Sequence, residues 1–231
     1  MNAAHDLGGL RGFGAIDDMF IRDGQTALFP NEWEATVFGM TLACGMLGQW
    51  NLDQTRCARE QMQPAHYLAS SYYEHWLHGL ERLLVDRGLL STAELQTGKA
   101  TGKGRLQAVT VERVSEILGQ GAPTILPAEA TPRFVSGARV KVRNGTLKSH
   151  TRAPRYTHGC EGVIMLHHGA HIFPDQHAAS GEKQPKHLYN VRFEARDLWG
   201  EADGEGLAGK APAAVYVDLF EPYLVAADVE P

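Results

Sequence analysis

The chain has 231 residues, enough to bury a substantial core as one large or two small domains. Hydrophobic residues make up 43% and charged residues 21% of the sequence, as in an ordinary soluble globular protein. The formal net charge is −5 and lysines and arginines form no basic block, which disfavours a nucleic-acid partner because phosphates select clustered cations.

Cysteine use and hydropathy indicate the compartment. Cys44, Cys57 and Cys160 are widely spaced with no Cys-x-x-Cys among them, which argues against a disulfide framework and against a sulfur-rich metal site. The first residues have neither the basic nor the apolar region of a secretory signal, and no apolar run is long enough to cross a bilayer. We therefore expect a cytoplasmic protein.

Residues 1–30 are rich in glycine and show no sustained hydrophobic period, so they cannot hold a packed structure alone. One interpretation is an extended arm that wraps a partner subunit and buries its apolar side chains there; the other is a frayed terminus. We favour the arm because Leu7, Leu10, Phe13 and Ile16 give it apolar groups to bury.

Residues 31–118 have the pattern of a helical domain. Apolar residues recur at helical spacing, and polar capping residues stand before each apolar run. The predicted helices run from near Asn31 to about Gly48, from Asn51 to Met62, from the Ser71-x-x-Glu74 capping box to Gly88, from Ser91, and over Val109–Leu118, with Pro64 interrupting the chain between the second and third.

The composition changes at residues 119–132, whose glycines, prolines and alanines are typical of a linker. In residues 133–231 the hydrophobic period shifts toward two, and short strand candidates alternate with turns rich in glycine and proline. This pattern predicts a small SH3-like β-barrel or roll, so the fold class is α+β. The strand candidates are Ala138–Arg143, Gly162–Leu166, Leu188–Phe193 and Ala214–Phe220.

Two helical faces carry residues with chemical potential. Leu52 and Arg56 are four residues apart on one helix, as are Tyr72 and Trp76 on the next, so each pair lies on a single face. Arg56 either pairs with Glu60 or Asp53 at helical spacing or binds an anion outside this chain. The two aromatics are either core residues or the wall of a substrate pocket.

The second half holds a basic loop and a histidine cluster. Arginines in the proline-containing loop 148–156 either reach an anion of a neighbouring subunit or form a solvated turn. His158, His167, His168, His171 and His177 could ligate zinc, copper or nickel, but their strand–turn spacing does not converge three imidazoles, so we expect no metal there. No nucleophile elbow surrounds Ser70-Ser71 and no phosphate-binding loop follows a strand.

Ordered motifs extend along nearly the whole chain, and together they resemble the β subunit of nitrile hydratase. They are His5-Asp6-x-Gly8-Gly9-x-x-Gly12-Phe13-Gly14, Glu32-Trp33-Glu34, Arg56-x-x-x-Glu60-x-Met62-x-Pro64-x-x-Tyr67, Ser71-Tyr72-Tyr73-x-His75-Trp76, His150-Thr-Arg152-x-Pro154-x-Tyr156, Gly169-Ala-His-Ile-Phe-Pro174-Asp175, Leu198-Trp199-Gly200 and Asp218-Leu-Phe-Glu-Pro-Tyr223-Leu224.

This resemblance implies an α–β heterodimer, often paired to an α2β2 heterotetramer, that hydrates small nitriles to amides. In that family the α subunit binds cobalt(III) or iron(III) through a Cys-x-x-Cys-Ser-Cys segment with two oxidised cysteines. This chain has no such segment, so the resemblance implies that it binds no metal and is inactive alone. The pair His75-Trp76 and the run His167-His168-Gly169-Ala170 look more like cobalt-type members.

The resemblance also implies roles for individual residues. Arg56 and Arg152 match the two arginines that hydrogen-bond the oxidised cysteines, and Tyr72 matches a tyrosine near the substrate. The remaining matches are the pocket-wall residues Leu52, Thr55 and Trp76 and the surrounding hydrogen-bonding residues Glu60, Tyr73 and His75.

Two positions depart from the family pattern, and two other functions stay open. Thr55 stands where many relatives carry an aromatic residue, and Ser149 where glycine is usual, which leaves substrate size and the path of the Arg152 loop undecided. One alternative is a non-catalytic assembly or metallochaperone-like partner of an α subunit. The other is a thiocyanate hydrolase-type subunit, although such subunits split the two halves that are fused here.

Overall fold

The structure is a computed structural model that describes residues 3–10, 21–22, 25–26, 28–102, 104, 106–145, 149–200 and 214–227. The chain is α+β, with a helical region followed by an antiparallel sheet. It divides into two compact units. The helical unit includes Ala3–His5 and runs up to Ala122, and the sheet unit includes Asp6–Leu10 and starts again at Pro123.

The helical unit contains the predicted helices. A short pair of strands, β1 (Ile21–Arg22) and β2 (Gln25–Thr26), precedes them in the segment where we predicted an arm. The helices are α1 (Glu32–Gly45), α2 (Leu52–Glu60), α3 (Pro64–Ala69), α4 (Tyr72–Asp86), α5 (Thr92–Thr97) and α6 (Val111–Gln120).

Local side-chain bonds set where these helices start. Asn51 Oδ1 accepts the Gln54 N–H at 2.9 Å and the Gln54 side chain accepts the Asn51 N–H at 3.1 Å, which satisfies two backbone donors at the start of α2. The predicted starts of α1, α2, α4 and α5 are confirmed. Helix α3 was not predicted from the sequence. Pro64 occupies its first helical position, so this proline starts a helix as well as interrupting the chain.

Helix α4 packs against both α1 and α2. Val37 of α1, Ala58 of α2 and Leu80 of α4 are each at most 5% exposed. A group of aromatic rings lies beside them: Phe29 and Phe38 are 5.5 Å apart, and Tyr73 and Trp76 are 5.8 Å apart. This packing leaves the N-terminal ends of α2 and α4 to carry the candidate site.

The sheet unit is built from five antiparallel strands in the order β6-β5-β4-β3-β7. Their alternating pattern places Val140, Ile164, Tyr189, Val191, Phe193, Leu219 and Leu224 in a core where each is 0% exposed. The elements are β3 (Arg139–Val142), a 3-10 turn at Arg155–Thr157, β4 (Glu161–Ile172), α7 (Pro174–Ser180), β5 (Pro185–Glu194), α8 (Ala195–Trp199), β6 (Ala214–Phe220), a 3-10 turn at Glu221–Tyr223 and β7 (Leu224–Ala226).

The expected closed SH3-like barrel is not confirmed. Among the described residues β6 pairs with β5 alone and β7 with β3 alone, so the sheet is open. Hydrophobic alternation tells which face of a strand is buried, whereas closure depends on strand tilt and stagger, which the pattern does not encode.

The segment predicted as a linker is partly paired. Helix α6 extends to Gln120, and further on the Leu126 N–H donates to Ala170 O at 3.0 Å while Ile172 N–H donates to Thr124 O at 2.9 Å. Residues 124–126 therefore lie along the end of β4. Across the described part of the chain, no helix combines the length and apolar character that a membrane span requires.

Candidate functional site

The predicted aromatic residues come together at the start of α4. The ring of Tyr72 lies 5.1 Å from Tyr73 and 5.9 Å from Trp76, measured between centroids. Tyr72 is 45% exposed and Leu52 59% exposed, whereas Tyr73 is buried. Tyr72 and Leu52 are therefore exposed in this chain, and the ring of the buried Tyr73 packs edge-on against Tyr72.

Arg56 makes the intrahelical pair that its spacing allows. Its Nη1 donates to Asp53 Oδ1 at 3.0 Å, and Asp53 is buried. The Arg56 side chain stays 40% exposed, and a guanidinium has more N–H donors than one carboxylate oxygen can use. Asp53 thus orients an arginine that can still bind a further acceptor.

Arg59 is a feature that sequence reasoning missed. Its Cζ lies 3.8 Å from the centroid of the Trp76 ring, a cation–π contact, and its Nε is buried without a hydrogen-bond partner among the described residues. Burial lowers the Arg59 pKa. The signal was Gly79 inside a helix, because a Cβ there would meet Arg59 Cγ at 2.8 Å.

Three predicted residues around the aromatics use their polar atoms within the helical unit. His75 Nε2 donates to Tyr67 O at 2.8 Å, and the two rings stack with centroids 4.1 Å apart. Glu60 is 7% exposed, with Oε2 4.0 Å from His5 Nε2. Thr55 is 9% exposed and its hydroxyl donates to Asn51 O at 3.2 Å, so its polar atom is used locally.

Arg152 lies in the sheet unit, on the loop that follows β3, and is exposed. Its backbone N–H donates to the Tyr223 hydroxyl at 3.1 Å, and that hydroxyl donates in turn to Asp175 Oδ1. Burial raises the pKa of both Tyr223 and Asp175, because each would carry its charge away from water. The buried Tyr223, bonded to the half-buried Asp175, holds the loop backbone at Arg152.

A cavity of about 300 Å³ adjoins this loop. Ala153 and Tyr223 line it together with Arg143, His158, Phe173 and Asp175. The loop therefore borders a partly open cavity, and hydrogen bonds to its backbone help to fix its path.

The histidine cluster makes bonds within the sheet unit. His167 Nε2 and His187 Nδ1 are 3.0 Å apart, and His187 Nε2 donates to Ala130 O at 2.7 Å. His168 Nε2 contacts Asp218 Oδ1 at 3.0 Å. In the described ranges no three His, Cys, Asp or Glu side chains are grouped as a metal site would require.

The candidate site residues lie on both units of this α+β chain. Its helical unit carries Arg56, held by Asp53, and the aromatic pair Tyr72 and Trp76, and its sheet unit carries Arg152 on an anchored loop. Both arginines keep N–H donors that could bind a further acceptor.

Two family models match, "Nitrile hydratase beta subunit, N-terminal" over residues 1–124 and "Nitrile hydratase beta subunit, C-terminal" over residues 123–226. The chain belongs to the nitrile hydratase β-subunit family, and the resemblance found in the sequence motifs is confirmed.

Curated relatives match over nearly their whole length. The low-molecular weight cobalt-containing nitrile hydratase subunit beta of Rhodococcus rhodochrous is 36% identical over 98% of this chain and 100% of its own. The nitrile hydratase subunit beta of Pseudomonas putida is 37% identical over 97% and 99%. The cobalt-containing nitrile hydratase subunit beta of Pseudonocardia thermophila is 33% identical over 100% and 98%.

Among solved structures, a recombinant apo-enzyme of thiocyanate hydrolase from Thiobacillus thioparus covers 60% of this chain and 98% of its own, with 21% identity and a TM-score of 0.38. A TM-score this low does not establish a shared architecture. The family assignment therefore stands on the sequence matches.

Proposed function

We propose that this chain is the β subunit of a complex that hydrates small nitriles to amides, and that it is inactive without the α subunit. The observation that carries the proposal is Arg56, oriented by Asp53 yet 40% exposed, in a chain that matches a nitrile hydratase β subunit over 98% of its length.

Arg56 and Arg152 act as hydrogen-bond donors to oxidised cysteine oxygens of the α subunit. A guanidinium fork binds two oxygens of a sulfinate or sulfenate at once, and such charge-assisted bonds are short and directional. Both side chains are accessible for that contact, Arg56 from α2 and Arg152 from the loop after β3. Their role is to fix and polarise those oxygens in an interface from which water is excluded.

The metal belongs to the partner. This chain's contribution, two cations and aromatic side chains, fits an anionic thiolate–sulfinate centre held elsewhere. Cobalt(III), favoured over iron(III) by the names of two relatives, supplies Lewis acidity toward the nitrile when bound there.

Tyr72, Trp76 and Leu52 form this chain's part of the substrate pocket. The Tyr72 hydroxyl hydrogen-bonds the polar end of the substrate, while Leu52 and the Trp76 ring contact its apolar part. Thr55 contributes only its methyl side to this wall because its hydroxyl is bonded to Asn51 O. Glu60, Tyr73 and His75 hold the surrounding shell, with His75 fixed on Tyr67.

The assembly is an α2β2 heterotetramer in the cytoplasm. For the sheet unit we propose an open SH3-like roll, because the pairing of β4 with β5 shifts register at Ile164/Leu166 and His167/Gly169, and a bulge at such a shift increases local twist and curvature.

The test is co-expression with an α subunit that carries a Cys-x-x-Cys-Ser-Cys segment, followed by assay of amide formation from small nitriles. In the purified complex, Arg56→Lys and Arg152→Lys should each lower kcat by about 100-fold or more, because lysine cannot form the bidentate fork. Arg82→Lys, on an exposed pair with Asp86, is the matched control and should leave kcat unchanged.

Unchanged turnover in both site variants would refute the roles of Arg56 and Arg152. A stable complex that hydrates no nitrile would instead support an assembly role, and hydrolysis of thiocyanate by that complex would support the thiocyanate hydrolase alternative.

A further inference from the structure

The first residues of the chain lie against the loop that carries Arg152. Asp6–Leu10 belongs to the sheet unit, although more than a hundred positions separate Leu10 from Pro123, where that unit continues. The Asp6 Oδ2 atom accepts the backbone N–H of Arg155 at 2.8 Å. That N–H begins a 3-10 turn, where the backbone donor has no partner within the turn itself.

Two glycines make this close approach possible. A Cβ on Gly8 would lie 2.6 Å from Tyr156 Cδ1, and a Cβ on Gly9 would lie 2.8 Å from Trp199 Nε1. Gly9 also has φ +78, a conformation that residues with a side chain rarely adopt. Any side chain at either position would push the segment away from the Tyr156 and Trp199 rings.

The same loop is anchored at a second point. The Arg152 N–H donates to the Tyr223 hydroxyl and the Arg155 N–H donates to Asp6, so two backbone donors three residues apart are held by side chains distant in sequence. Between them, Pro154 restricts the backbone further. The guanidinium of Arg152 thus projects from a short segment whose backbone is held at both ends.

We propose that Asp6, Gly8 and Gly9 are positioning residues for Arg152: they fasten the chain's own N-terminal segment over residues 155–156 and thereby hold the Arg152 loop in place. This rests on the proposed role of Arg152 as a donor to the α subunit. It gives the His5-Asp6-x-Gly8-Gly9 motif a function within this chain, separate from any wrapping of a partner.

Positioning of this kind predicts a particular kinetic effect. A misplaced donor reduces the stabilisation of the transition state more than it reduces substrate binding. Loss of the Asp6 contact should therefore lower kcat and leave KM nearly constant. Asp6→Asn keeps a carbonyl oxygen that can accept the Arg155 N–H, and it should retain most of the activity that Asp6→Ala loses.

The experiment uses the purified complex with the α subunit and two readouts. Hydrogen–deuterium exchange of peptides covering residues 149–157 should become about 10-fold faster in Asp6→Ala, since a bond to a charged acceptor is lost, and stay near the unmodified rate in Asp6→Asn. The kcat of Asp6→Ala should fall about 10-fold with KM within two-fold, roughly one step of 1.4 kcal/mol. Asp86→Ala removes the same charge from an exposed pair in the helical unit and should change neither readout.

A double-mutant cycle then separates this inference from the proposed function. If Asp6 acts through Arg152, Asp6→Ala should lower kcat by less than two-fold when added to Arg152→Lys. Full multiplication of the two losses would overturn the inference, as would unchanged exchange or unchanged kcat in Asp6→Ala. Unchanged kcat in Arg152→Lys would instead refute the proposed role of Arg152, while the exchange data would still report whether Asp6 holds the loop.

Discussion

At the scale of single residues, the site depends on polar side chains that are already committed within the chain. Asp53 orients Arg56, Asn51 takes the hydroxyl of Thr55, and Tyr67 takes the imidazole N–H of His75. Each of these bonds holds a side chain in one of its possible rotamers. The arrangement is therefore rigid before a partner binds.

Tyr223 makes two hydrogen bonds with one hydroxyl, which donates to Asp175 and accepts the backbone N–H of Arg152. Tyr223→Phe should destabilise the chain by about 1–3 kcal/mol, since it leaves the half-buried Asp175 carboxyl and the Arg152 N–H without this partner. Urea unfolding of the full chain measures the loss.

Tyr216→Phe is the matched control, because that tyrosine is 56% exposed on β6. Its effect should stay within about 0.5 kcal/mol, as for other surface substitutions. Equal effects of the two substitutions would show that the Tyr223 hydroxyl does not hold the loop.

At the scale of elements, the contact of α2 with α4 depends on a glycine. Alanine is normally the better helix former by about 1 kcal/mol, so Gly-to-Ala changes inside helices usually stabilise. At Gly79 the added methyl would meet Arg59 Cγ at 2.8 Å and displace the guanidinium from Trp76. The clash between α2 and α4 should therefore outweigh helix propensity, so that Gly79→Ala lowers the stability of the chain.

We expect Gly79→Ala to lower the midpoint of thermal unfolding and Gly39→Ala, in α1, to leave it equal or higher. A Cβ at Gly39 has no other atom within 4 Å, so propensity acts there without a clash. Circular dichroism of both variants gives the comparison, and a rise at Gly79 would mean that Arg59 relaxes without cost.

The pairing of β4 with β5 should make the sheet sensitive to acid. Burial, and next the neighbouring His187, lowers the pKa of His167 below its ordinary 6.5. The unfolded chain then binds a proton more readily than the folded one, so stability is present above pH 6.5 and is lost as the pH falls through that value toward the lower folded pKa.

His167→Gln should flatten this part of the pH profile. Urea unfolding of the full chain at steps from pH 7.5 to pH 5, about the range in which histidine titrates, measures the slope. A slope as steep in His167→Gln as in the unmodified chain would assign the acid sensitivity to another group.

At the scale of the whole molecule, the chain joins two units with different kinds of stabilisation. The helical unit is built from capped helices around an aromatic group, and the sheet unit from a strand core that excludes water completely at seven positions. Each unit presents one arginine. The proposed complex would use both, Arg56 from the helical unit and Arg152 from the sheet unit.

The amino-acid sequence alone determined the starts of α1, α2, α4 and α5, the α+β class and the family. These depend on local relations: a cap and its partner lie three residues apart, as Asn51 and Gln54 do, and a buried face repeats every two or 3.6 residues. The ordered motifs pointed to Arg56, Tyr72 and Arg152 because a family resemblance needs only residue order.

The tertiary structure decided the rest. It decided that the sheet has open edges. It also decided which distant residues meet, as Arg59 does with Trp76 and Asp6 with Arg155, and these separations in the chain follow no characteristic spacing. Which of many distant donors and acceptors meet is set by the packing of complete elements against each other, and no local pattern contains that information.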